Sequence, residues 1–70
     1  MVERYTMNHF SQGNPAGERQ GDVPALLRRV ADSITELGDV KVHDITFHTE
    51  LLDGEDAVTM TVYYADAPHD

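Results

Sequence analysis

Residues 21–52, GDVPALLRRVADSITELGDVKVHDITFHTELL, decide the fold of this chain. Asp22 reads as a helix N-cap, because its carboxylate can accept from the free N–H groups of a first turn. Pro24 follows where a missing N–H costs nothing. Leu26, Leu27, Val30, Ile34 and Leu37 recur at spacings of three and four and make one apolar stripe, with Arg28, Arg29, Asp32, Ser33 and Glu36 on the other side. Gly38 supplies the left-handed residue that closes many helices. Val40–Leu52 then reads as an extended strand.

A second strand, Ala57–Ala65, follows Asp53-Gly54-Glu55-Asp56. Ile45, Phe47, Thr49 and Leu51 share one face of the first strand, and Val58, Met60, Val62 and Tyr64 share one face of the second. A two-residue turn at Asp53-Gly54 sets Phe47 against Met60 and Ile45 against Val62. A four-residue loop over Asp53–Asp56 sets Phe47 against Val62 instead. The two registers differ by an even step, so the same apolar face forms in both. The helix is expected to cover that face, with Phe47 in the core.

Val40 and Val42 have the parity of the opposite face. Either a bulge near His43-Asp44 re-phases the strand, or these two valines are buried at an interface with another chain. His43, with the parity of Ile45, is expected at the rim of the core near Tyr64.

Ser11–Gly21 (SQGNPAGERQG) is rich in glycine and amides and too poor in apolar side chains to offset its chain entropy. The expected organisation is therefore a largely flexible N-terminal tail over 1–21, a helix-plus-hairpin domain over 22–65 and a C-terminal tail over 66–70. The fold class is α+β, a helix followed by an antiparallel hairpin (αββ), or βαββ if a short strand over 2–10 joins it.

Seventy residues make one domain. A single core of this size seldom supplies more than ~3–5 kcal/mol without a disulfide, a metal or a partner chain. Cysteine is absent, so neither disulfides nor thiolate metal sites are available. A homodimer or higher homo-oligomer is expected, two copies joining their hairpins into a four-stranded sheet. Thirteen acidic residues against five basic ones give a net charge of −8, which argues against nucleic acid and anionic membranes as partners. Met1-Val2-Glu3-Arg4-Tyr5 lack the basic and apolar regions of a signal peptide, and a cytoplasmic location is expected. Arginine-over-lysine usage with abundant Asp, Ala and Val suggests a high-GC bacterial genome.

The polar face of the hairpin carries Asp44, Thr46, His48 and Glu50 on one strand and Thr59, Thr61 and Tyr63 on the other. His48 and Glu50 lie two apart on a strand and point the same way, about 7 Å from each other. With Tyr63 they form the candidate ligand-binding set; a solvated face explains the same residues. Val40 and Val42 are the candidate interface residues. His9 and His69 fall in the tails. No catalytic residue, metal ligand set or cofactor motif stands out, and the acidic turn Asp53–Asp56 lacks the twelve-residue spacing of a calcium loop.

The run GDVPALLRRVADSITELGDVKVHDITFHTE, with TVYY beyond it, resembles short proteins of high-GC bacteria and implies a compact family domain without an activity to carry over. With a strand over 2–10, the strand–helix–strand–strand layout is also similar to that of the dodecins, small homo-oligomers that bind flavin. That resemblance implies flavin binding, but the chain has no tryptophan on which such proteins stack the ring. The expected function is a small acidic, self-associating protein-interaction module without catalysis. A small-ligand or metal-binding protein using His48, Glu50 and Tyr63 is the alternative, with a dodecin-like flavin binder beside it.

Overall fold

A computed structural model describes residues 7–66. The helix, α1, runs over Val23–Leu37. The Asp22 carboxylate accepts from the Ala25 N–H at 3.1 Å, Pro24 stands in the first turn, and the Gly38 N–H donates to the Thr35 carbonyl at φ 84°. Start and stop are thus set by the residues that predict them. The hairpin strands span Val40–Leu52 and Glu55–Asp66. They close through Asp53 and Gly54, both at positive φ (54° and 79°), the conformation of a two-residue turn whose twist matches its strands. Leu52 pairs with Glu55, Phe47 with Met60 and Ile45 with Val62, the shorter of the two anticipated registers.

A further strand precedes the helix. It covers Asn8–Gly13, so it starts within the anticipated 2–10 strand and continues into the segment expected to be a tail. Numbered in chain order, the elements are β1 (Asn8–Gly13), α1, β2 (Val40–Leu52) and β3 (Glu55–Asp66). They build a three-stranded antiparallel sheet in the order β1-β3-β2. The order is the anticipated βαββ rather than αββ, one helix on three strands, with β3 paired on both sides. Residues 2–6 of the anticipated first strand, His69 and most of the C-terminal tail lie outside the described residues.

The loop between β1 and α1 is held by its amides rather than by apolar packing, which is why its composition hides it. Gln20 is 4% exposed. Its Nε2 donates to the Leu52 carbonyl at 2.9 Å and the Glu55 carbonyl at 3.1 Å, its Oε1 accepts from the Gly17 N–H, and its carbonyl accepts from the Val58 N–H. Asn14 donates to the carbonyls of Asp22 and Gln20. Arg29 reaches from the helix to the Gly13 carbonyl and Asn14 Oδ1, and Ser33 donates to Gln12 Oε1 at 2.9 Å.

The helix leans on β3 and β1. Leu26, Val30, Val58, Met60 and Val62 form the buried core, flanked by Phe10, Val23, Ile34 and Tyr64. Two core expectations are corrected. Phe47 is 52% exposed, with Ile45 and Leu51 exposed beside it, because the helix sits over the other two strands. His43 is the extra residue of a β-bulge: Val42 pairs with Tyr64 and Asp44 with Tyr63. The bulge moves Val42 onto the helix-side face and leaves His43 exposed at the edge.

Three outcomes follow from this architecture. Leu26→Ala, in a fully buried position, is expected to cost roughly 2–5 kcal/mol, whereas Arg28→Ala, at an exposed position of the same helix, should leave the urea midpoint nearly unchanged. Gln20→Ala should cost roughly 1–3 kcal/mol by removing the three hydrogen bonds of its carboxamide, and hydrogen exchange should rise first around Leu52–Val58. The Arg19 guanidinium, bonded to Asp22 at 2.8 Å, and the Ala25 N–H hold the Asp22 carboxyl below its ordinary 3.8. A carboxylate depressed by folding stabilises above its unfolded value, and the gain disappears as pH falls through the folded one. Thermal midpoints should therefore drop as pH is lowered past 3.8, and Asp22→Asn, which keeps a capping oxygen, should flatten that part of the curve.

Candidate functional site

The two sheet faces differ sharply. On the face away from the helix the strands align polar residues in rows, read from β1 through β3 to β2. His9, Tyr63 and Asp44 make one row, then Ser11, Thr61 and Thr46, then Gly13, Thr59 and His48. Glu50 follows beside Ala57. Ser11 and Thr61 share a hydroxyl hydrogen bond of 2.7 Å, and the His9 and Tyr63 rings lie 5.8 Å apart at a 34° tilt.

Of the three residues anticipated as a ligand set, the sheet keeps His48 and Glu50 on one face and separates Tyr63 from them. Tyr63 lies four residues along β3 from Thr59, the partner of His48, a separation of about 13 Å. Its neighbour is His9, which sequence reasoning left in a tail. Both His48 and Glu50 are exposed, and neither makes a side-chain hydrogen bond to a described residue. Among the described residues no group of three or more His, Asp or Glu is placed to hold a metal ion. A shallow depression lined by Asn14, Arg19, Asp22 and Arg29 sits over the loop that enters the helix. Asn14, Arg19, Asp22 and Arg29 are already bonded to one another or to backbone, so these four hold the loop closed.

The helix-side face of β2 is the more unusual feature. Ile45, Phe47 and Leu51 are 44%, 52% and 73% exposed on the face that buries Val58, Met60 and Val62 one strand away. Arg29 and Ser33 bind groups of the β1 end. At 100° per residue, the flank carrying Leu27 therefore turns toward β2. Leu27, itself exposed, rises beside the β2 residues like the side of a step. Together the four leave an apolar strip on the order of 400 Å², within the range in which a protein's largest apolar patch is often functional. The signal was in the sequence: two strands and a helix offer more apolar positions than one helix can cover.

Val40 is partly buried and Val42 37% exposed. The bulge removes the mismatch that singled them out and sets Val42 at the far end of the same strip. Among the described residues no helix is long and apolar enough to cross a membrane. Compared with family models, with curated proteins and with solved structures, the chain matches none.

Proposed function

We propose that the chain is a small acidic, self-associating protein-interaction module without catalytic activity. One observation carries this reading: the uncovered strip of Ile45, Phe47, Leu51 and Leu27. Burying apolar area is the main favourable term in folding, and here much of it is left to water while, among the described residues, five apolar side chains form the buried core. The shape supports the same reading. The radius of gyration is 14.8 Å, against roughly 11 Å for a compact chain of this length. An elongated domain with a small core gains what it lacks from another chain.

A ligand-binding role for His48, Glu50 and Tyr63 has less support, since Tyr63 lies about 13 Å along the sheet from His48 and about 20 Å from Glu50. A flavin-binding role has the strand–helix–strand–strand order on its side, but the chain has no indole to stack on the ring.

Light scattering across the micromolar range is expected to show a dimer or larger assembly. Phe47→Glu should return it to monomers with the helix intact by circular dichroism, because Phe47 is half exposed and outside the buried core. Wild-type protein that stays monomeric and cooperatively folded at high micromolar concentration would remove the proposal.

A further inference from the structure

Among the described residues the sheet has two open edges of unequal character. β1 offers a short strand of six residues, β2 one of thirteen. One end of β2 is blunted, for the bulge at His43 breaks its regular edge and Lys41 stands beside it; bulges and edge lysines are means by which strands resist pairing. The other end carries the apolar strip and no such guard.

Backbone geometry narrows the open segment further. The two-residue turn makes Leu52 and Glu55 a hydrogen-bonded pair, so alternate residues back along β2 also bond to β3. Ile45, Phe47, Thr49 and Leu51 consequently turn their N–H and C=O groups outward. Ile45 fits this, since its N–H donates to its neighbour's carboxylate, Asp44 Oδ1, at 2.9 Å. That bond ends the free edge. Pairing groups remain from Thr46 to Leu52.

We infer that a second copy of this chain pairs antiparallel with β2 over Thr46–Leu52, about a two-fold axis at Thr49, making one six-stranded sheet. The inference rests on the self-association proposed above and specifies its geometry. Thr49 is the midpoint of the open segment, so this register uses all of it. Phe47 then faces Leu51 of the second copy on the apolar side, and His48 faces Glu50 of the second copy on the polar side, each pair occurring twice. Thr49 meets its own equivalent. Aromatic–aliphatic and imidazole–carboxylate pairs are favourable neighbours across strands.

Other symmetric registers with the helices on one side are poorer. Centring on Phe47 sets Asp44 against Glu50 of the second copy, and like charges directly opposite repel. Centring on His48 needs the Ile45 N–H, which Asp44 already holds. Pairing sets the two strips side by side on the helix side, so the facing flanks of Phe47 and Leu51 are covered together with the paired backbone. The occupant is a second copy because the edge complements itself: its apolar, charged and hydrogen-bonding positions each meet a suitable partner under one two-fold rotation.

The absence of cysteine allows a clean test with single substitutions in the full chain. Directly opposed residues of a hydrogen-bonded antiparallel pair lie about 5.5 Å apart at Cα, inside the roughly 4.4–6.8 Å span of disulfides. Thr49→Cys is expected to form a covalent dimer in high yield on mild oxidation. Thr46→Cys should not, because the two copies of that residue would lie about 20 Å apart. Light scattering of the reduced proteins gives the second reading. Dimers that cross-link at Thr46→Cys as readily as at Thr49→Cys, or at neither, would overturn this pairing while leaving self-association in place. Monomers under all conditions would overturn both.

Discussion

A helix with its side chains is about 10 Å across, and neighbouring strands are about 4.8 Å apart. One helix therefore covers two strands well and a third poorly. Here the third is β2, and the rest of the structure follows from that shortfall. The helix sits over β3 and β1 because its polar flank is anchored there, Arg29 on the Gly13 carbonyl and Ser33 on Gln12. β3 receives the deepest burial, with Val62 fully covered. The apolar residues of β2 are left facing water although they lie on the same side of the same sheet.

The chain compensates with hydrogen bonds where it lacks apolar contact. The segment entering the helix has almost nothing to bury, yet Gln20 and Asn14 tie it to the hairpin end and to the helix start. These bonds place the N-terminus of α1 beside the turn and let the helix run back along β3. The uncovered strip is thus a fixed feature of the scaffold, its position set by polar anchors at the opposite side of the helix.

The local elements were legible from sequence. Asp22, Pro24 and Gly38 act through nearby backbone groups, so their roles need no knowledge of the tertiary structure. Asp53-Gly54 marks the hairpin turn in the same local way, while the choice between a two-residue turn and a four-residue loop came only with the structure. What could not be read was lateral. Alternation says which face of β2 is apolar, but not whether the helix rests on β2 or on a strand from the other end of the chain. β1 itself was obscured because Asn8, Ser11, Gln12 and Gly13 carry little strand pattern and are held by pairing with β3. The bulge at His43 stood as one of two explanations for the valines, since parity alone does not distinguish an extra residue from a second partner. Likewise His48 and Glu50 keep the spacing read from sequence, while Tyr63 is removed from them by the antiparallel offset.

The Gln20 clamp bears on how this domain can vary. Its carboxamide grips the carbonyls of Leu52 and Glu55, groups that every amino acid possesses. Side chains at those two positions can drift without loosening the grip. The number of residues between them cannot, because an insertion in the turn would carry the carbonyls out of reach of a single amide. Substitution at Leu52 and Glu55 and insertion between them are therefore constrained in opposite ways, the identity of those two residues being free and the count between them fixed.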